Sequence, residues 1–125
     1  MALKVTHDER DGWTVLTVSG ALDLVTAPTV RGHVHEAVAD GRRNLVLDLA
    51  GVDFCDSSGV GVLISARRLM RSCAGRLRLI LPSDVRGTNA AHVNKVLAAL
   101  GVRRLFEVFP DIAAATDDEA GPLSA

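Results

Sequence analysis

The run Asp53-Phe54-Cys55-Asp56-Ser57-Ser58-Gly59 places two hydroxyls and two carboxylates beside a thiol, and a helical pattern follows it directly. Asp and Ser before a helix are first of all caps, because their side-chain oxygens accept the free N–H groups of the first turn. The same place suits a second chemistry. A serine hydroxyl at a helix start can carry a phosphoryl group, which adds about −1.5 to −2 charges and three acceptor oxygens. A helix N-terminus tolerates such an anion. Asp53 and Asp56 would repel it, so the modification would alter the local surface. A second junction, Gly20-Ala21-Leu22-Asp23, follows a strand pattern and offers another carboxylate.

Other chemical signals lead elsewhere. Gly59-Val60-Gly61 does not continue as Gly-x-Gly-x-x-Gly, since position 64 is Ile, and no Walker A pattern is present. His33 and His35 point in different directions on a helix, and His7 and His92 are isolated, so no metal site or cofactor is expected. No Ser/His/Asp set has a nucleophile context. Cys55 and Cys73 flank a helix of about 24 Å at 1.5 Å per residue, too far for the Cα separation of about 7 Å that a disulfide needs. Cys55 reads as a small buried hydrophobe, and Cys73 as the thiol open to an intermolecular bond. Arg67, Arg68, Arg71, Arg76 and Arg78 read as a solvated helix face and strand edge, with an acidic partner surface as the second reading.

The elements that must hold these residues follow from periodicity. Leu3 to Thr6 and Trp13 to Ser19 read as strands around the turn Asp11-Gly12. In the second strand Leu16 and Val18 share one face and Trp13 and Val15 the other. Gly20 to Val25 reads as a loop, with Thr26 as a helix cap and Pro28 in the first turn. Val30, Val34, Ala37 and Val38 mark the first helix. Leu45 to Leu49 is a strand, and 57–72 a helix with Val62, Leu63, Ala66, Leu69 and Met70 inward. Leu77 to Leu81 is a strand and Pro82 to Ala91 a polar loop. Val93, Val96, Leu97 and Leu100 stripe the third helix, which Gly101 stops. Leu105 to Phe109 is the last strand, and a final helix runs from Pro110 to about Asp118. This alternation predicts an α/β domain with a mixed, mostly parallel sheet of about five strands and about four helices. Residues 1–118 form the domain, and 119–125 a flexible tail.

The chain has 125 residues, room for one domain with a packed core. Fourteen Lys and Arg against fifteen Asp and Glu leave a net charge of −1, with no basic footprint for nucleic acid or an anionic membrane. Aromatic residues at 3% exclude a base-stacking platform. Met1 to Arg10 lacks the apolar core of a signal peptide, and no apolar run is long enough to span a bilayer, so a cytoplasmic location is expected.

Several segments together resemble a known family. Gly20-Ala21-Leu22-Asp23, Leu45 to Leu49, the run from Val52 to Leu63, Val96 to Val102 and Leu105-Phe106 look like the STAS domain of bacterial anti-sigma factor antagonists. The resemblance covers roughly residues 3 to 118, and its most specific part is Asp56-Ser57-Ser58-Gly59-Val60-Gly61-Val62-Leu63. It implies a protein that binds rather than catalyses. The unphosphorylated form would bind an anti-sigma factor that is also a serine kinase, releasing a sigma factor. Phosphorylation at the position matching Ser57 would end binding, and a phosphatase would reset it. Asp23 matches an acidic position near that serine. Asp56, Ser58, Gly59 and Gly61 would shape the partner surface, the glycines allowing close backbone approach or close packing of the helix on the sheet. Two alternatives remain open on the sequence: a STAS subunit of a transport or scaffold assembly without phosphoswitching, and a small enzyme with a flavodoxin-like sheet.

Overall fold

The computed structural model describes residues 3–82 and 90–123. The chain runs β1 (Lys4–Arg10), β2 (Trp13–Leu22), α1 (Ala27–Ala39), β3 (Asn44–Cys55), α2 (Ser57–Ser72), β4 (Arg76–Ile80), α3 (Ala90–Ala99), α4 (Val102–Leu105), β5 (Glu107–Phe109) and α5 (Ile112–Ala115). The strands lie in the order β1-β2-β3-β4-β5. β1 is antiparallel to β2, and the other neighbours are parallel. The mixed, mostly parallel five-stranded sheet read from the sequence is present.

A two-residue loop closes the β1–β2 hairpin. Asp11 and Gly12 both hold positive φ, 52° and 83°, the backbone that a tight right-twisting hairpin needs. Because each parallel strand follows its neighbour in sequence, right-handed crossovers put all the connecting helices on one face of the sheet. Val30 and Val34 of α1, Val62, Leu63 and Met70 of α2, and Val93 and Leu97 of α3 share one core with Leu16, Val18, Leu45, Leu47 and Leu79. The opposite face has a smaller core of Trp13, Val15, Val46, Ile80 and Phe109, closed by Ala115 and flanked by Ile112, Ala114 and Ala120. The strand order does not reverse, so the sheet lacks the switch-point crevice that serves ligands in doubly wound folds.

Several elements differ from the pattern reading. β1 extends to Arg10, since its polar residues pair with β2 while staying exposed. β2 continues through Gly20, Ala21 and Leu22, a stretch that composition marks as loop. β3 reaches Cys55 rather than stopping at Leu49. It carries extra residues against β2 between Thr17 and Ser19 and between Gly20 and Ala21. At the first of these bulges, Asp48 Oδ1 accepts from Ala50 N at 3.0 Å, which lets a buried carboxylate sit inside the strand. Leu105 ends the single turn α4 instead of opening the last strand. Leu100 is 46% exposed, so the α3 stripe stops at Leu97. The final helix is a single turn capped by Asp111, whose carboxylate accepts from Ala114 N at 2.8 Å. Residues 83–89 of the loop read between Pro82 and Ala91 lie outside the described residues.

The arginine cluster is the largest departure. Arg78 is no solvated residue but is 2% exposed, between the rings of Trp13 and Phe109, each centroid 4.4 Å from its guanidinium carbon. It donates to the carbonyls of Ala115 and Asp117 at 3.1 and 2.8 Å. Asp118 accepts from Trp13 Nε1 at 3.0 Å and pairs with Arg76 at 3.1 Å. Leu123 N then donates to Val108 O at 2.7 Å. The segment read as a tail therefore follows the sheet as far as Leu123.

Candidate functional site

The site begins where β2 and β3 leave the sheet together. Their register pairs Ala21 with Phe54 and Leu22 with Cys55, so the next residues, Asp23 and Asp56, start side by side. Asp56 N donates to Leu22 O at 3.3 Å and ties the two junctions.

Asp56 is the N-cap of α2. Its extended backbone (φ −114°, ψ −171°) turns the carboxylate back onto the helix start. Oδ1 accepts from Ser58 N at 2.8 Å and from Gly59 N at 3.2 Å. Capping therefore falls to Asp56 and leaves Ser57 unused. Ser57, the first residue of α2, is exposed, and its hydroxyl makes no hydrogen bond among the described residues. Ser58 is half-buried.

The glycines two residues apart do different work. A Cβ on Gly59 would lie 2.8 Å from Leu22 Cγ, 2.8 Å from Cys55 Sγ and 2.9 Å from Leu22 O. Gly59 is buried, and its lack of a side chain lets α2 settle on the end of β2. A Cβ on Gly61 would meet nothing within 4 Å, and the residue is exposed. Gly59 is thus a packing glycine, and Gly61 belongs to the surface.

Asp23 holds its own loop. Its Oδ1 accepts from Val25 N and Thr26 N, both at 3.0 Å. Thr26 does not cap α1 with its side chain, as the pattern suggests; its hydroxyl donates to Ala21 O at 2.7 Å and accepts from Asp23 N at 2.9 Å. The Thr26 backbone N–H is the main cause that holds the Asp23 carboxyl below its ordinary value. Burial pushes the Cys55 thiol up to about 11, helped by the Asp56 charge, so Cys55 is an inert core residue. Cys55 and Cys73 are both free thiols.

The sequence reading missed an apolar component at this end of the sheet. Leu24 and Val25, at the tip of the β2–α1 loop, are 74% and 84% exposed. Phe54 is 39% exposed and stacks on His92 at the start of α3, ring centroids 6.3 Å apart. Two adjacent apolar residues in a stretch that otherwise reads as loop were the available signal. Exposed apolar groups at the same end of the sheet suit contact with another protein. Among the described residues no cluster of His, Cys, Asp or Glu could hold a metal ion, and no helix is long and apolar enough to cross a membrane.

The chain is a small α/β domain with its crossover helices on one face of the sheet and an exposed serine opening the second of them. Comparison with known proteins agrees with that description. The STAS domain family model matches residues 4–115, and the chain belongs to that family. The Anti-sigma-F factor antagonist RsfB of Mycobacterium tuberculosis is 37% identical over 62 residues, 50% of this chain and 51% of RsfB. The chain thus spans about half the length of these first curated relatives. The crystal structure of an anti-sigma factor antagonist from Mycobacterium paratuberculosis superposes with a TM-score of 0.76 at 24% identity, covering 91% of both chains. The Bacillus protein SpoIIAA in its phosphorylated form gives a TM-score of 0.64 at 22% identity, covering 89% of this chain and 96% of SpoIIAA.

Proposed function

We propose that the chain is an anti-sigma factor antagonist, a cytoplasmic binding protein rather than an enzyme, and that Ser57 is its switch. In the unphosphorylated form it binds an anti-sigma factor that is also a serine kinase, and so frees a sigma factor. The kinase then moves the γ-phosphoryl group of ATP to Ser57 Oγ; the hydroxyl proton leaves and ADP forms. The modified protein dissociates. A phosphatase adds water across the phosphoserine bond, regenerating Ser57 and inorganic phosphate.

One observation carries this reading: Ser57 stands first in α2, exposed, with its hydroxyl unengaged because Asp56 already caps the helix. A serine that served only as a cap would have its oxygen on the N–H groups that Asp56 occupies. Asp23, Asp56, Ser58 and Gly61 form the polar part of the contact, and Leu24, Val25 and Phe54 its apolar part. Gly59 contributes from beneath by seating α2. A phosphate beside the Asp56 carboxylate places like charges together in the middle of that surface and opposes rebinding. Names of relatives support the partner: RsfB is an anti-sigma-F factor antagonist, and SpoIIAA is known in a phosphorylated form.

The test is incubation of the full chain with its cognate anti-sigma factor and ATP. One phosphate should be added, mapped to Ser57 and absent in Ser57→Ala. Ser57→Ala should keep binding, and Ser57→Asp should weaken it at least tenfold, about 1.4 kcal/mol. Phosphate found elsewhere with Ser57 untouched, or equal affinity of both variants, overturns the reading.

A further inference from the structure

A second site lies at the other end of α2. Between the last turns of α2, the start of β4 and the α4–β5 junction is an open cavity of about 230 Å³. Its inner wall is apolar: Met70 and Phe106 are buried there, and Leu77 and Leu105 add half-exposed surface. Arg67 and Arg71, four residues apart and so on one face of α2, stand along its side.

The sign of the charge in this cavity depends on which side chains face it. Arg76 and Glu107 border it, but strand alternation directs their side chains to the other face of the sheet. Arg76 lies 4.8 Å over the Trp13 ring and pairs with Asp118 there. In β5, Val108 belongs to the helix-side core and Phe109 to the opposite one, so Glu107 shares the face of Phe109. The cavity therefore keeps two arginines with no facing carboxylate among the described residues. Arg67 Nε donates to Leu105 O at 2.9 Å, which fixes that guanidinium at the mouth and leaves its terminal nitrogens available. The Arg71 side chain has no hydrogen-bond or ion-pair partner among the described residues. The C-terminal end of α2 disfavours a bound anion. Charge-assisted bonds from two guanidinium groups outweigh that end effect.

We propose that this cavity binds a small organic anion, an apolar body carrying one phosphate or carboxylate group. The head group is held between Arg67 and Arg71, and the body rests on Met70, Leu77, Leu105 and Phe106. A bare anion would gain nothing from that wall, and an uncharged apolar molecule nothing from the arginines. Arg71 lies fourteen residues beyond Ser57, about 21 Å along the helix, so the ligand does not touch the Ser57 surface. The site stands whether or not Ser57 is phosphorylated.

The experiment is an NMR titration of the full chain with phenyl phosphate and benzoate as the two head-group probes. Inorganic phosphate and benzyl alcohol serve as head-only and body-only controls. At least one of the two anions should shift the Met70, Leu77 and Leu105 methyl signals and the Arg67 and Arg71 Nε–H signals together, and saturate. Both controls should bind at least fivefold more weakly. Arg71→Ala removes an exposed, unpartnered side chain and should keep the fold, while cutting affinity about tenfold. Shifts that fail to saturate, that map outside the cavity, or that are unchanged in Arg71→Ala overturn the proposal.

Discussion

The guanidinium carbon of Arg78 lies over the indole of Trp13, 4.4 Å from its ring centroid, on the face of the sheet that has no crossover helix. The Phe109 ring centroid is also 4.4 Å from its guanidinium carbon, and the carbonyls of Ala115 and Asp117 accept its hydrogen bonds. A buried cation thus organises the smaller core and anchors the segment that follows β5. Arg78→Ala removes the stacking and takes the guanidinium donor from the Ala115 carbonyl, while Asp117 O keeps the Ala120 N–H at 3.1 Å, so it should cost about 2–4 kcal/mol. Arg78→Met, which keeps most of the volume, should cost less. Urea unfolding followed by fluorescence of Trp13, the only tryptophan, measures both. A loss below about 0.5 kcal/mol in Arg78→Ala, the level of an ordinary surface change, would show that the stack is incidental.

Gly59 and Gly61 should respond to alanine with opposite signs. At Gly59 the new methyl meets Leu22 Cγ at 2.8 Å and the Leu22 carbonyl at 2.9 Å, and backbone cannot step aside cheaply. Overpacking of this kind costs about 1–3 kcal/mol. At Gly61 the methyl meets nothing, and helix propensity alone favours alanine by about 1 kcal/mol. Gly61→Ala should therefore raise stability while weakening the proposed partner contact. Denaturation midpoints and binding constants of the two variants test this. Gly61→Ala with stability raised and binding intact would remove Gly61 from the partner surface.

The pH dependence of the β2–α1 loop follows from Asp23. Its folded-state carboxyl sits below the ordinary value of 3.8, chiefly because the Thr26 N–H bonds the charged form. A depressed carboxyl stabilises the fold fully above 3.8, and that contribution is lost as pH falls through the folded value. Asp23→Asn should be less stable than the parent at neutral pH. The gap should narrow as pH drops below about 4. Thermal unfolding of both chains across that range is the measurement; a gap that stays constant would mean that the loop does not use the charge.

The cysteines should separate cleanly. Cys55 is 2% exposed with its thiol raised to about 11, whereas Cys73 is half-buried at the end of α2. Iodoacetamide on the native chain near pH 8 should modify Cys73 alone, and both only after denaturation. Peptide mass spectrometry reads the outcome; native labelling of Cys55 would mean that the Leu22–Gly59 junction opens readily.

Much of this was legible from local pattern, and the exceptions share one cause. Helix α2 was readable at both ends, because its apolar stripe is wide and a capping residue precedes it. The hairpin was readable from Asp11-Gly12, and the two faces of β2 from alternation. Ser57 was readable as a chemical position, but its freedom was not, since that depends on Asp56 taking the cap. Arg78 resembled its solvated neighbours Arg67, Arg68 and Arg71 because its partners, Trp13 and Phe109, are distant in sequence. β3 looked short because its bulges put Asp48 and Gly51 inside a strand. Leu24 and Val25 carried no periodicity, and only the fold shows that they are exposed.

A phosphate on Ser57 would compete with Asp56 for the same helix terminus, which would give the proposed switch a measurable internal coupling. In the parent chain the carboxylate already holds Ser58 N and Gly59 N. An added phosphate gains from the helix N-terminus about 0.3–1 kcal/mol. It loses a similar amount, about 1 kcal/mol, by repulsion from the carboxylate across partly solvated space. Phosphorylation should therefore change the stability of the parent little. Asp56→Asn keeps a capping oxygen and removes the charge, so phosphorylation of that variant should be stabilising by about 1 kcal/mol. Denaturation of the phosphorylated and unphosphorylated forms of both chains completes the cycle. Equal effects of phosphate in the two backgrounds would mean that the phosphoryl group points away from Asp56, and that release of the partner is steric rather than electrostatic.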